Sequence, residues 1–224
     1  MRTIDIFIPL KGASERVPGK NMRPFGGRPL FHTILATLEE AERVSGVYID
    51  TDSDVIAESA AVFDHVTVIR RKEELLGHEI SVNWLIKDFL VDHPDIGHLG
   101  QTHCTNPLLS AGSIDAAVGA YFDNAQATSL FTVTRIQARL YDKDMKAVNH
   151  NPDELLPTQD LDPIYLENSN LYLFERKAFL DEDARITAKP MMWEMDPYEA
   201  VDIDEEKDFR MAEALHRGMM RLGS

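Results

Sequence analysis

Three cations, Lys11, Arg16 and Lys20, fall within ten residues, interleaved with Gly12, Ala13, Ser14 and Gly19, directly after the apolar run Thr3 to Pro9. Glycines let backbone N–H groups approach an anion closely, and the cations add charge, so phosphate is the ligand this segment suits. Spacing excludes two common phosphate loops. The nucleoside-triphosphate loop needs four residues between its glycines and then Lys-Ser/Thr, whereas six residues separate Gly12 from Gly19 and Asn21 follows Lys20. The dinucleotide fingerprint G-x-G-x-x-G is absent.

A second constellation lies near the other end, in Glu199-Ala200-Val201-Asp202-Ile203-Asp204. In an extended segment, residues two apart face the same side, so both aspartates project together. Two carboxylates beside phosphate suit Mg2+, which takes one or two of them plus phosphate and water oxygens. The competing reading has Asp204 capping the next helix, with Glu205 and Glu206 in its first turn. The eight histidines show no H-x-x-x-H spacing, which argues against zinc.

Apolar strand-like runs alternate with amphipathic stretches, the pattern of an α/β fold: a mainly parallel sheet with helices on both faces. Expected strands are 3–9, 46–51, 66–69, 96–102, 129–134, 170–174 and 200–203; expected helices are 30–44, 53–63, 82–91, 113–122, 177–181 and 205–220. Ser113 is a candidate cap, Pro29 suits a helix first turn, and Asp52 or Ser53 suits a cap for the second helix. In open parallel sheets ligands bind beyond the carboxyl ends of strands, where the Lys11 to Asn21 loop must lie. About 35 residues separate the strand near Thr134 from the one near Asn170, long for a connection in a compact domain. A projecting arm over 136–165, or a surface loop, is expected within a single domain, 1–224.

The formal net charge is −15, against coating a nucleic acid, whose phosphates must be neutralised by Lys and Arg. Residues 1–28 nevertheless carry +4, leaving −19 for the rest, and a basic island suits a small anion. No run approaches the roughly 18 apolar residues of a membrane span, and the start lacks the features of a signal peptide. With Cys104 the single cysteine, a reducing cytoplasm is the expected setting.

The loop, in order, resembles that of the acylneuraminate cytidylyltransferases and their relatives acting on other ulosonic acids. Ser14, Arg16, Pro18, Lys20 and Asn21 match; Lys11 stands for the usual arginine and Glu15 for the usual lysine. Gly26-Gly27-Arg28-Pro29-Leu30, Thr51-Asp52-Ser53 and Asp202-Ile203-Asp204 with Glu206-Lys207-Asp208-Phe209 are similar to further family segments. The resemblance implies a three-layer Rossmann-like nucleotidyltransferase fold that joins CMP from CTP to a 2-keto-3-deoxy sugar acid. It implies nucleotide contacts at Leu10, Lys11, Gly12, Ala13, Ser14, Arg16, Lys20, Asn21, Arg71 and Ser81. Catalysis would rest on Lys11, Arg16, Lys20, Asp202 and Asp204, with the two aspartates holding Mg2+. His103 replaces a sugar-facing glutamine, as in some relatives using other nine-carbon acids; with Thr105, Asn168 and Tyr172 it would face the sugar. Ser169 stands for the family's glycine, and Thr158-Gln159-Asp160-Leu161 matches the arm through which these enzymes pair as homodimers. A substrate such as the eight-carbon acid Kdo, a sugar-alcohol phosphate, or a non-catalytic nucleotide-binding relative are the alternatives.

Overall fold

The computed structural model of the chain describes residues 1–14, 16–77 and 79–222; Glu15, where the loop departs from the family signature, and His78 lie outside them. Seven strands form one sheet: β1 (Ile4–Leu10), β4 (Val44–Thr51), β5 (Val66–Arg70), β6 (His98–Thr102), β7 (Ser129–Ile136), β8 (Ile164–Glu175) and β9 (Pro190–Glu194). Their order is β5-β4-β1-β6-β8-β7-β9, and only β8 runs antiparallel to its neighbours. A small hairpin of β2 (Pro24–Phe25) and β3 (Arg28–Pro29) follows the basic loop. Gly26 and Gly27 form its turn with φ of 57° and 88°, the left-handed region that glycine enters at no steric cost.

Alternation along β1 fixes the layers. Ile4, Ile6, Ile8 and Leu10 face a core shared with α1 (Leu30–Glu40), α2 (Asp54–Ala60) and α4 (Ala111–Asp123). Phe7 points the opposite way, to α3 (Val82–Asp92) and α5 (Arg176–Glu182). The result is a mostly parallel α/β sheet between two helical layers. A third, smaller core gathers Phe25, Leu30, Leu108, Ile203 and Phe209, docking α6 (Glu206–Leu222) beside the hairpin.

Several expectations are corrected. The first helix stops at Glu40, and Val44 already begins β4. Ser110, not Ser113, caps α4, its hydroxyl accepting from the Ser113 N–H at 3.2 Å. Residues 200–203 form no strand; they run as an unpaired segment held by the loop after β6. The strand Pro190–Glu194 was not expected, because an edge strand opening on proline carries a weak signal.

β8 contains a bulge. Phe131 pairs with Tyr172, but two residues on, Val133 pairs with Glu167. The surplus includes Ser169 at φ 58°, a left-handed conformation that accounts for glycine in the resembled family. Beyond Ile136 and Ile164, which pair as the last rung of β7 and β8, residues 137–163 extend as a loop closed by its own hydrogen bonds: Asn149 donates to Ala138 and Asp162, and Gln137 to Leu161. No helix among the described residues is long and apolar enough to cross a membrane.

Candidate active site

Because β1, β4 and β6 run parallel, their exits gather at one edge of the sheet: Lys11 onward after β1, Asp52 and Ser53 after β4, His103 to Thr105 after β6. A cavity of about 320 Å³ opens there, lined by Lys11, Ser14, Lys20, Arg71, His103 and Thr105 among others. A larger opening of about 680 Å³ lies at the opposite edge, around Arg2, Asp5 and His98. The smaller one is the candidate, because it holds the basic loop at the strand ends where α/β sheets bind ligands.

The loop is anchored at several points. The Gly12 N–H donates to Asp52 Oδ1 at 2.6 Å, and a Cβ at Gly12 would lie 2.9 Å from Ser53 Cβ, so only glycine fits. Asn21 Nδ2 donates to the Lys11 carbonyl at 2.8 Å, and the Cys104 thiol donates to Asn21 Oδ1 at 3.1 Å. Asn21 thus braces the loop while lining the cavity. Burial pushes the Cys104 thiol up to about 12, which keeps it an unreactive thiol. Gly19 at φ 62° permits the tight turn Lys20–Met22. Lys11 Nζ donates to the Gly77 carbonyl at 3.2 Å.

The two distant constellations meet. Arg16 donates to Asp204 Oδ1 at 2.6 Å, and Lys20 Nζ donates to the Ile203 carbonyl at 2.7 Å. The aspartate segment is held from the other side by the Ile203 N–H, which donates to the Thr105 carbonyl at 2.9 Å. Ile203 is fully buried in the small core, which fixes this segment between its two aspartates. Asp208 serves the start of α6, accepting from the Glu205 N–H at 2.8 Å, so Asp204 is released from capping. Asp202 Oδ1 is buried with no hydrogen-bond partner. Burial raises the Asp202 pKa, opposed by the Thr105 hydroxyl and reinforced by Asp204, with Lys20 and Arg16 pulling down. A buried carboxylate oxygen left without a donor is costly, and a divalent cation satisfies it. Neither Asp202 nor Asp204 is among the residues lining the cavity, but as two carboxylates joined to the basic loop they are oxygen donors of the kind Mg2+ takes. Among the described residues no three His, Cys, Asp or Glu side chains converge as a metal cage.

Arg71 lines the cavity with a guanidinium already engaged: Nε donates to Asp50 Oδ1 at 2.5 Å and Nη2 to the Asp50 carbonyl at 3.2 Å. Burial raises the Asp50 pKa and Arg71 opposes it. Leu10 is buried at the end of β1, and Ser81 precedes α3 between the lining residues Ile80 and Val82 without lining the cavity itself. Asn168 and Tyr172 also lie off the lining. The Asn168 amide is used at both ends, by Thr134 Oγ1 at 3.1 Å and the Asn170 N–H at 3.3 Å. The Tyr172 hydroxyl bonds Glu167, and its ring lies under the Arg185 guanidinium at 4.0 Å. His103 Nε2 lies 3.0 Å from Gln101 Nε2, and Gln101 Oε1 accepts from Arg185 at 2.5 Å. Asp50, Gln101 and Arg185 were missed by sequence reasoning; no local spacing marks them, since each gains its role from a partner far along the chain.

A cytidylyltransferase family model matches residues 6–221. The chain is 26% identical over 210 residues to the N-acylneuraminate cytidylyltransferase of Streptococcus agalactiae serotype III, covering 90% of this chain and 50% of that protein. It is 29% identical over 178 residues to the 3-deoxy-manno-octulosonate cytidylyltransferase of Lawsonia intracellularis, covering 75% and 69%. A solved CMP:2-keto-3-deoxy-manno-octonic acid synthetase, complexed with CTP, superposes with a TM-score of 0.71 at 14% identity, covering 98% of this chain and all of that one. The chain spans about half the length of the streptococcal relative.

Proposed function

The chain belongs to the cytidylyltransferase family, and on that premise we propose that it transfers CMP from CTP to the anomeric hydroxyl of a 2-keto-3-deoxy sugar acid, releasing pyrophosphate. The observation that carries the reading is the junction of the basic loop with the aspartate segment, through Arg16 and Asp204 and through Lys20 and Ile203. Phosphoryl transfer asks a protein mainly to position its reactants and neutralise charge, and this junction brings cations and carboxylates to one place.

Lys11, Lys20, Ser14 and the loop amides hold the triphosphate, and Arg16 exchanges Asp204 for a phosphate oxygen. The sugar hydroxyl attacks the α-phosphorus, the bond to the β-phosphate oxygen breaks, and the hydroxyl proton passes to solvent. Asp202 and Asp204 would hold Mg2+, which when bound neutralises phosphate charge. Arg71, fixed by Asp50, forms the wall on the β4 side, and His103 with Thr105 forms the sugar side.

Among sugar acids we favour a nine-carbon, sialic-acid-like substrate, because His103 lines the cavity in the place of the resembled family's sugar-facing glutamine and streptococcal relatives named for N-acylneuraminate match over 90% of this chain. An eight-carbon acid is the second reading, favoured by the relative from Lawsonia intracellularis. We further propose a homodimer formed through the arm 136–165, where Met145 is 86% and Leu155 88% exposed, in a cytoplasmic setting that suits the lone thiol. Calorimetric titration with CTP tests the nucleotide half: Lys20→Ala is expected to weaken CTP by about tenfold or more, the worth of a charge-assisted bond. Unchanged CTP affinity would remove the loop as its cradle.

A further inference from the structure

Behind the sugar side of the cavity runs a polar chain whose members have fixed directions as donors and acceptors. Glu167 accepts from the Tyr172 hydroxyl, which also lies 3.1 Å from Ser169 Oγ on the β8 bulge. The Tyr172 ring carries the Arg185 guanidinium at 4.0 Å. Arg185 donates to Gln101 Oε1 at 2.5 Å, and Gln101 Nε2 donates to the Thr102 carbonyl at 2.9 Å and lies 3.0 Å from His103 Nε2. Gln101 is fully buried, the last residue but one of strand β6 and two before His103.

Guanidinium groups only donate. The Gln101 oxygen must therefore face Arg185, since the reverse orientation would set two donors against each other. The Gln101 NH2 then faces His103, and its partner, Nε2, has to accept. We propose that Arg185, acting through Gln101, is a positioning residue that fixes His103 as the neutral ring with its hydrogen on Nδ1. Among the described residues no protein group accepts from that Nδ1–H. His103 thus offers the cavity an N–H donor, and the substrate group it recognises is an oxygen that only needs to accept: a carboxylate or acyl carbonyl of the sugar acid.

The charges around the ring agree. Burial, then Arg185 and Lys20, hold the His103 pKa down to about 4, against a smaller upward pull from Asp204. With its Nε2 lone pair occupied and its ring neutral, His103 orients substrate and takes no proton from it. The recognition half rests on the proposed sugar-acid activity; the tautomer half does not.

The test is two-bond 1H–15N imidazole NMR on the full chain labelled at histidine, with the His103 signals identified by their loss in His103→Asn. The expected result is the Nδ1–H form at pH 7. Gln101→Glu is nearly isosteric and keeps an acceptor for Arg185, but it can only accept, so His103 is expected to change to a form protonated on Nε2. Arg185→Leu leaves the Gln101 amide held by the Thr102 carbonyl alone and is expected to admit some of the second tautomer beside the first. An Nε2–H form in the unaltered protein, or Gln101→Glu with Nε2 still unprotonated, overturns the proposal even if Arg185→Leu does not fold. In the kinetic arm, Gln101→Glu is expected to raise KM for the sugar acid about tenfold with KM for CTP unchanged. A reversed tautomer with unchanged sugar-acid KM overturns the recognition role; absence of turnover with every acid counts against the activity, and the NMR result still decides the tautomer.

Discussion

Arg16 and Asp204, 188 residues apart in the chain, share a 2.6 Å ion pair that joins the basic loop to the aspartate segment. Their side chains are 62% and 47% exposed, and pairs this open are worth about 0–1 kcal/mol. So weak a contact yields readily to a phosphate on one side and a cation on the other. Arg16→Ala is therefore expected to leave thermal stability nearly unchanged while weakening CTP about tenfold. Calorimetry and a melting curve check this together; a large drop in Tm with normal CTP affinity would make the pair structural.

The contrast is Arg71 with Asp50, whose side chains are 1% and 7% exposed. Breaking a buried pair strands the remaining charge, at about 3–5 kcal/mol. Arg71→Ala or Asp50→Ala should lower the denaturation free energy by that order, and the double variant should lose less than the two single losses added together. Strict additivity in a denaturant series would rule out the coupling.

Asp202 gives a prediction about pH. Burial raises its folded pKa above the unfolded value, so as pH climbs the unfolded chain releases this proton first and stability falls. Asp202→Asn, lacking the charge, should stabilise the metal-free protein at pH 7 and have little effect at pH below the unfolded carboxylate value, while abolishing turnover. Urea denaturation at both pH values checks the sign; a destabilised variant at pH 7 in metal-free buffer would contradict it.

Gly12→Ala places a methyl 2.9 Å from Ser53 Cβ and 3.4 Å from Asp52 Oδ1. Such overpacking costs about 1–3 kcal/mol and shifts the loop. The expected outcome is a raised KM for CTP together with a lowered Tm, measured on the same preparation.

The arm is tested by charge. Met145→Asp combined with Leu155→Asp should convert a dimer to a monomer in sedimentation velocity, with the fold intact by circular dichroism, since both side chains are exposed in the single chain. A species of unchanged mass would remove the arm from assembly.

Local signals explain how much was legible in advance. Ile4, Ile6, Ile8 and Leu10 alternate in sequence and do so in the sheet, and the loop beside them, rich in glycine and charge, lies at the strand exits as its position after β1 required. The two-residue spacing of Asp202 and Asp204 pointed to paired carboxylates, although the segment is not a strand. What stayed hidden depends on long-range neighbours. Arg71, expected at the nucleotide, is also paired with the buried Asp50, which no local spacing announces, and Gln101 and Arg185, 84 residues apart, meet because β8 lies beside β6 and leads through α5 to Arg185. Pro190 disguised β9, and the β8 bulge at Ser169 leaves no periodic trace.

Pyrophosphate release, measured with each of the four ribonucleoside triphosphates against a panel of eight- and nine-carbon ulosonic acids in Mg2+, bears most directly on the central claim. Release is expected with CTP alone, strongest with a nine-carbon acid, and lost in Asp204→Ala while the protein stays folded. Turnover with another nucleotide in preference to CTP, or undiminished turnover in Asp204→Ala, would contradict it.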